Sequence, residues 1–369
     1  MGCDYIALAT NGVQNLHPYL PGKPAEELER ELGLKNVVKL ASNENPLGPS
    51  EKALSTVNNH LSGLSLYPDS GGYRLKQALA SEYGFSPEQV TLGNGSNDVL
   101  ELIARAYLNP GDEVIYSEYA FVVYSLVTQA TGAKAVVTPA KEWGHDLQQM
   151  LAEISDKTRI IFIANPNNPT GTWLSEPELT SFLDQVPENI LVVLDEAYTE
   201  YVMDEAFPNG LDKLADYPNL IVTRTFSKAF GLAGLRVGYA VSNEDVANVL
   251  SRVRQPFNVN NLALVAAESV LSDKDYLARS VEINSSGMRF YEEGFKKLGL
   301  EFIPSVGNFI TVDMKQDAMP VYDAMLHQGV IVRPVANYGM PQHLRISIGL
   351  PEENERCLRA LARVVENFE

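Results

Sequence analysis

The chain has 369 residues, a formal net charge of −18, two cysteines and five histidines. This length allows a large domain and a smaller one, each with its own core, and the acidity argues against nucleic-acid partners. Cys3 and Cys357 are too few and too far apart to indicate a disulfide framework, and the histidines show no metal-ligand spacing. We therefore expect a protein that binds neither a metal nor nucleic acid.

The N-terminal segment shows no targeting pattern. Residues 1–4 lack the basic start and the long apolar stretch of a signal peptide, and no apolar run in the chain reaches membrane-spanning length. Residues 1–40 are irregular around Pro18, Pro21 and Pro24, which predicts an N-terminal arm. We expect a cytoplasmic location and no membrane contact.

From about residue 45 to 255, short apolar runs alternate with amphipathic helical patterns, which is typical of a mostly parallel sheet. The predicted strands of this part are Glu113–Tyr116, Ala135–Val137, Ile160–Ala164, Leu191–Leu194 and Leu220–Thr223. We therefore predict an α/β fold for the larger part of the chain.

Beyond Asn260 the pattern changes to a long helical stretch, from Leu262 to about Leu298. A second sheet is predicted from strands over 309–312, 330–332 and 344–348, covered by a final helix over 352–368. The predicted organisation is an N-terminal arm (1–40) that joins the small domain, a large domain (41–258) and a small C-terminal domain (259–369).

A glycine turn leads into a helix early in the predicted large domain. The segment Gly93–Asp98 follows the apolar run Val90–Leu92 and precedes apolar residues at helical spacing. Such a turn presents free N–H groups and the positive end of the helix dipole to an anion. Ser, Asn and Asp there are also ordinary helix caps, but the backbone N–H groups of Ser96 and Asn97 are candidates for binding a phosphate.

Two further motifs follow apolar strands. Ile160–Ala164 runs into the tight turn Asn165–Gly171. The run Leu191–Leu194 ends in Asp195, at the strand end where ligands bind in α/β folds. A strand-end aspartate is more often a cap or turn residue, so this position alone leaves both interpretations open.

Lys228 lies in the mostly apolar, glycine-containing run Thr225–Gly238, eight residues before Arg236. Desolvation and a neighbouring cation both lower the pKa of an ammonium group and turn it into an amine nucleophile. A lysine near a helix end with a buried arginine is the alternative from this segment alone.

These motifs, in this order, resemble those of fold-type I enzymes that use pyridoxal phosphate. The resemblance implies that Lys228 forms a Schiff base with the cofactor aldehyde and then acts as the general base and acid. It implies that the cofactor phosphate is bound by Ser227 and Arg236, together with the N–H groups of Ser96 and Asn97.

The same resemblance assigns the cofactor ring. Asp195 would pair with the protonated pyridine nitrogen, and Tyr198 and Asn168 would donate hydrogen bonds to the phenolic oxygen. Phe121 would stack on the ring, although Tyr119 could take that role with a shift of two residues.

The two ends of the chain are similar to the histidinol-phosphate aminotransferase family. The similar segments are Leu16–Lys23, Leu40–Gly48, Gly329–Pro334 and Leu344–Ser347, and the resemblance covers essentially the whole chain. It implies a mostly parallel seven-stranded sheet in the large domain, a small α+β C-terminal domain, and histidinol phosphate, glutamate and 2-oxoglutarate as substrates.

Three residues would bind those substrates, and one would bridge two subunits. By the resemblance, Tyr19, Arg333 and Arg345 bind the phosphate of histidinol phosphate and the carboxylates of glutamate. Tyr67 would reach the cofactor phosphate of the neighbouring subunit, which implies a homodimer with shared active sites. A salt bridge of Arg333 with a glutamate and a simple Tyr-Pro turn at Tyr67 stay open as alternatives.

Two other activities and one non-enzymatic role are alternatives to the function that this resemblance implies. Tyr19, Phe121 and Tyr124 could line a pocket for a phenyl ring, which would make the protein an aromatic aminotransferase. A threonine-phosphate decarboxylase belongs to the same lineage. A catalytically inactive binding or regulatory protein is disfavoured, because the complete set of cofactor residues would then have no use.

Overall fold

The computed structural model of the chain describes residues 2–18 and 22–366. Its helices are α1 (Asn11–Gln14), α2 (Ala25–Leu32), α3 (Glu51–His60), α4 (Tyr73–Tyr83), α5 (Ser96–Tyr107), α6 (Val122–Ala130), α7 (Leu147–Ala152), α8 (Glu176–Leu183), α9 (Glu244–Val253), α10 (Asn261–Leu271), α11 (Lys274–Lys297), α12 (Ala318–His327) and α13 (Pro351–Glu366).

Its strands are β1 (Val38–Lys39), β2 (Val90–Gly93), β3 (Glu113–Ser117), β4 (Lys134–Thr138), β5 (Ala140–Lys141), β6 (Gly144–His145), β7 (Thr158–Ala164), β8 (Leu191–Asp195), β9 (Leu220–Thr225), β10 (Gly238–Ser242), β11 (Phe302–Ile303), β12 (Phe309–Asp313), β13 (Val330–Ile331), β14 (Arg333–Pro334) and β15 (His343–Ser347).

The large sheet has seven strands in the order β2-β10-β9-β8-β7-β3-β4. Its pairs are parallel except for those of β10, which runs antiparallel to both β2 and β9. The predicted mostly parallel seven-stranded sheet is therefore confirmed, and all five predicted strands lie in it. The antiparallel β10 was not among the predicted strands.

Alternate residues of the central strands enter two different cores, as the two-residue period of a strand requires. In β7, Ile161 and Ile163 pack with α4, α8 and α10 on one face. Ile160 and Phe162 pack with α5 and α6 on the other face. Because both faces are covered by helices, these strands read as continuous apolar runs.

A four-stranded antiparallel sheet, β11-β12-β15-β14, forms the core of the smaller unit with α11, α12 and α13. The chain's beginning joins its end there, since β1 pairs with β13 through Val38 and Val330, and Leu40 is buried among the C-terminal residues. The predicted strand over 330–332 is present as β13, but its predicted place in this sheet is wrong, because β13 pairs with β1 in a separate two-stranded sheet. The strand β14, which pairs with β15, was not among the predicted strands.

The predicted helical stretch from Leu262 to Leu298 is divided into α10 and α11. The division lies at Asp273, whose side chain accepts a hydrogen bond from the N–H of Tyr276 and so caps α11. α10 packs against α3 and α4 and contributes to the core under the large sheet. The three-part division of the chain stays a prediction. No helix among the described residues is long and apolar enough to cross a membrane.

Candidate active site

The parallel strands β7, β8 and β9 end at the same edge of the large sheet, and a cavity of about 230 Å³ opens there. The smaller unit closes its other side. The cavity brings together eleven of the predicted residues, namely Ser96, Asn97, Phe121, Asn168, Asp195, Tyr198, Ser227, Lys228, Arg236, Arg333 and Arg345.

Lys228 is the only lysine among the described residues that line this cavity. Its Nζ donates a hydrogen bond to the carbonyl oxygen of Ser42 at 3.1 Å. Burial, with a contribution from the nearby Arg345 guanidinium, lowers the pKa of Lys228 to about 7. The side chain is therefore an amine that can lose its proton near neutral pH, as an amine nucleophile or general base must.

Asp195 is a buried carboxylate held by two hydroxyl groups. Tyr124 donates to its Oδ2 at 2.9 Å, and Thr223 donates to its Oδ1 at 3.0 Å. Burial raises the pKa of Asp195 to about 6, although both hydrogen bonds act in the opposite direction. The carboxylate is thus fixed in orientation and poised to pair with a cationic group on a ligand.

Two hydrogen-bond donors face the cavity from the turns after β7 and β8. The Oδ1 of Asn168 accepts a hydrogen bond from Arg345, so its amide NH₂ is the group available to donate. Tyr198 accepts a hydrogen bond from Asn43 at 3.0 Å, and burial raises the pKa of Tyr198 to about 12, which keeps its hydroxyl protonated.

An anion cradle forms between the start of α5 and Arg236. No side chain caps α5 at Gly95, so the first N–H groups of the helix stay available to a ligand. Arg236 donates to the Oγ of Ser227 at 3.3 Å. A Cβ atom at Gly95 would overlap the Arg236 guanidinium, and Gly95 also has φ = +85°. Glycine is therefore required for the close approach of helix and arginine.

Arg333 and Arg345 are directly paired across β14 and β15. Residues directly opposite each other in an antiparallel pair have side chains on the same face, and both arginines line the cavity. Arg345 also donates to the carbonyl oxygen of Ala41 at 2.9 Å. Its Nε is buried without a hydrogen-bond partner, which leaves one donor for a bound anion.

One predicted residue that the structure describes, Tyr67, is not among those that line the cavity. Tyr19 lies outside the described residues. Tyr67 is 83% exposed and stacks on Phe257 at 4.7 Å between ring centroids. Of the two aromatic candidates, Phe121 lines the cavity, whereas Tyr119 packs against Trp143.

Sequence reasoning missed several side chains that support this cavity. The sequence indicates Tyr124 only as an aromatic ring that could line a pocket, and Thr223 only as the end of a strand. Asn43 lies in the segment Leu40–Gly48, and the resemblance implies no role for it. Thr223 lies two residues before Thr225, so the two-residue period of a strand places both side chains on one face of β9. That spacing could have indicated Thr223, whereas no local pattern indicates Tyr124 or Asn43.

The donor set fits one kind of ligand well. A cradle of helix N–H groups, a serine and an arginine suits a phosphate, a buried aspartate suits a protonated ring nitrogen, and a phenol with an amide suits an oxyanion on the ring. No group of three or more His, Cys, Asp or Glu residues within 2–18 and 22–366 could hold a metal.

Comparison with known proteins identifies the class to which this fold and site belong. Residues 35–361 match the family model for class I and II aminotransferases, and the chain belongs to this family.

Individual relatives carry a more specific name than the family. The chain is 61% identical, over 99% of each chain, to histidinol-phosphate aminotransferase 2 of Pseudomonas fluorescens. It is 58% identical to histidinol-phosphate aminotransferase 1 of Mannheimia succiniciproducens, over 98% of this chain and 99% of the relative. A solved histidinol-phosphate aminotransferase from Sinorhizobium meliloti, in complex with pyridoxal-5'-phosphate, is 31% identical, with a TM-score of 0.90 over 98% of both chains. These findings confirm the resemblance and the fold inferred from the sequence.

Proposed function

We propose that this protein transfers the amino group of L-histidinol phosphate to 2-oxoglutarate, giving imidazole-acetol phosphate and glutamate in histidine biosynthesis, with pyridoxal phosphate as its cofactor. The observation that carries the proposal is the pair Arg333 and Arg345 on adjacent strands, facing the same cavity as the Lys228 amine. Two guanidinium groups side by side suit a phosphate dianion on the substrate. The names of the most similar relatives support the same substrate.

Pyridoxal phosphate, when bound, supplies an electron sink for the pair left at the substrate Cα. Lys228 would hold the cofactor covalently, and its free amine would take the proton from the substrate Cα as a base and deliver it to C4′ of the cofactor as an acid. Its pKa of about 7 allows both directions near neutral pH. Asp195 keeps the ring nitrogen protonated, because its buried carboxylate would otherwise lack a cationic partner.

The remaining cavity residues orient the two ligands. Tyr198 and Asn168 would donate hydrogen bonds to the phenolic oxygen of the cofactor, and Phe121 would pack against its ring. Ser227, Arg236 and the N–H groups of Ser96 and Asn97 would hold the cofactor phosphate. Tyr19 is proposed to complete the substrate site from the N-terminal arm.

We also propose a homodimer in which Tyr67 reaches the cofactor phosphate of the second subunit. Large exposed apolar side chains near Tyr67 support this proposal. Leu61, Leu64 and Leu66 are exposed in the segment just before Tyr67, and the exposed Phe257 stacks on its ring; we call these residues the exposed apolar row. Exposed apolar side chains that cluster in this way are typical of protein–protein interfaces. The cytoplasmic location stays a prediction.

The test compares amino donors in steady state. Arg333→Ala should lower kcat/KM for histidinol phosphate by about 10- to 150-fold, because a charge-assisted hydrogen bond to a buried anion is lost. The kcat/KM for phenylalanine should fall much less, because its carboxylate is assigned to Arg345. Arg289→Ala, at an exposed position on α11, is the matched control and should leave kcat/KM unchanged for both donors.

If kcat/KM falls equally for both donors in a folded Arg333→Ala variant, Arg333 does not bind the substrate phosphate, and aromatic transamination is favoured. Release of CO₂ from O-phosphothreonine, with no transamination of histidinol phosphate, would instead identify a decarboxylase.

A further inference from the structure

The segment Ala41–Asn43 contacts three of the proposed catalytic and binding residues in succession. The carbonyl oxygen of Ala41 accepts from Arg345, that of Ser42 accepts from Lys228, and the side chain of Asn43 donates to the hydroxyl of Tyr198. The first two contacts use only backbone oxygens, which any residue would supply. Asn43 is the one position in the segment where the side chain itself makes the contact.

The backbone of Asn43 is held in an unusual conformation. It has φ = +54°, in the left-handed region that few residues other than glycine and asparagine adopt. Its N–H donates to the Oγ of Ser347 at 2.8 Å, and its carbonyl oxygen accepts from Asn308 at 3.0 Å. The residue is 1% exposed. Such a conformation persists where the surroundings determine it, and it is concentrated at functional sites.

The hydrogen bonds around Asn43 determine which way its amide points. The Oγ of Ser347 accepts from the Asn43 backbone N–H, so its own proton is free to be donated to the Asn43 Oδ1, 2.9 Å away. The amide oxygen is therefore engaged on the β15 side, and the NH₂ group faces the Tyr198 hydroxyl. A phenol oxygen that accepts this hydrogen bond still has its own proton to donate elsewhere.

The cavity is where that proton can go. Tyr198 lines the cavity, and the Nζ of Lys228 lies 5.7 Å from the centroid of its ring. Were the amide reversed, its oxygen would accept the Tyr198 proton and draw it away from the cavity. The orientation of the Asn43 amide thus decides whether Tyr198 acts as a donor to a ligand.

We propose that Asn43 is a positioning residue, which directs the Tyr198 hydroxyl toward the phenolic oxygen of the cofactor and connects it, through Ser347, to the strand that carries Arg345. This inference rests on the proposed function in one respect, namely that the cofactor occupies the cavity beside Tyr198. It does not depend on which amino donor the enzyme uses.

The test is Asn43→Gly in the cofactor-loaded protein. Glycine retains the positive φ and the backbone contacts but lacks the amide. The readout is the pH midpoint at which the visible absorption of the cofactor joined to Lys228 changes. A weaker hydrogen bond to the phenolic oxygen disfavours its anionic form, so the midpoint should rise by about half a unit to one unit. Cofactor affinity should fall by about threefold or more.

Asn45→Ala is the matched control. Asn45 is also buried and donates two side-chain hydrogen bonds, to the carbonyl oxygen of Ala229 and to the Oγ of Ser280. Neither of these hydrogen bonds involves Tyr198. A purely structural loss should lower the melting temperature of both variants, whereas only Asn43→Gly should move the absorption midpoint. Arg345 and Asp195, the charged groups whose fields reach the Tyr198 hydroxyl, stay in place in both variants.

A double-mutant cycle with Tyr198→Phe completes the test. If Asn43 acts through the Tyr198 hydroxyl, Asn43→Gly should cause no further midpoint shift in the Tyr198→Phe background. Should Asn43→Gly not fold, Ser347→Ala, which releases the amide from β15, should move the midpoint in the same direction by a smaller amount.

An unchanged midpoint in these variants, or a shift that persists without the Tyr198 hydroxyl, overturns the inference alone. A wild-type protein that shows no visible cofactor band overturns the proposed function and this inference with it.

Discussion

At the scale of single residues, the environment of Lys228 determines its chemistry more than its identity does. The amine is buried in the cavity, its Nζ donates a hydrogen bond to a backbone oxygen, and Arg345 adds a second cation nearby. An ammonium ion is poorly stabilised there, so the neutral amine is favoured in the folded protein. A lysine on the surface would keep its proton and could not act as a nucleophile near neutral pH.

This environment makes stability depend on pH in the cofactor-free protein. The folded-state pKa of Lys228 is about 7, below the ordinary lysine value of 10.5. Between these pH values the unfolded chain keeps a proton that the folded chain has released, so the free energy of unfolding rises with pH. Its slope should exceed that of Lys228→Met by up to about 1.4 kcal/mol per pH unit.

Urea denaturation of both proteins between about pH 7.5 and 9.5 measures this slope, because this range lies between the folded-state and unfolded-state pKa values. The exposed Lys52→Met is the control and should keep the wild-type slope. Parallel curves for the wild type and Lys228→Met would show that the amine is not desolvated.

At the scale of elements, the turn between β2 and α5 depends on one glycine. Gly95 immediately precedes α5 and has φ = +85° and ψ = +163°, a combination that is essentially restricted to glycine. It also leaves room for the guanidinium of Arg236. Helix and arginine can therefore approach the same anion from two sides.

Gly95→Ala should reduce pyridoxal phosphate affinity by about tenfold or more, because the added methyl group displaces Arg236 from the anion cradle. The control is Gly84→Ala at the end of α4, which has φ = +81° but open space around a Cβ. Equilibrium dialysis on the cofactor-free variants gives the affinity, and thermal melting gives the stability. Equal losses of affinity in both variants would mean that backbone strain alone is responsible.

The sequence predicts those elements whose signal is local. The strands β7, β8 and β9 are continuous apolar runs, and the residues at their ends were found because parallel strands end at one edge. The sheet to which β13 belongs was predicted wrongly, because it depends on pairing with β1 near the other end of the chain.

The residues that hydrogen-bond to the site residues from behind were not predicted, for the same reason. Asn43 and Ser347 meet across 304 positions of sequence, and Tyr124 meets Asp195 across 71. No periodicity or spacing encodes such contacts, since only the assembled fold brings the residues together. Resemblance to a family predicted the residues at the ligand but not those behind them.

At the scale of the whole molecule, the site lies where two separately packed units meet. Asp195 is the last residue of β8, and Tyr198 and Lys228 lie in the segments that follow β8 and β9, whereas Arg333 and Arg345 lie in the small sheet. Direct contacts join the two units beside the site, since Thr311 donates to the carbonyl oxygen of Pro169 at 2.5 Å. A change in how the units pack would therefore alter the distance between the amine and the paired arginines.

The proposed dimer leads to a test at this scale. Leu64→Glu places a charge in the exposed apolar row around Tyr67 and should raise the dimer dissociation constant by about tenfold or more. Met203→Glu is the control, because Met203 is 67% exposed, close to the 65% of Leu64, and lies outside that row. Sedimentation velocity over a range of concentrations distinguishes the two variants. Dimers of unchanged strength in Leu64→Glu would place the interface on another surface.

The pairing of β1 with β13 has a consequence for how the protein is made. Val38 and Val330 are about 290 residues apart, which at 5–20 residues per second is on the order of 15–60 s of translation. During that interval the nascent chain holds Leu40 and its neighbours without their partners, while the large sheet can already assemble. The early segment of the smaller unit is therefore a place where a newly synthesised chain needs protection from aggregation, and the arginine pair becomes part of the cavity only after the ribosome has nearly finished.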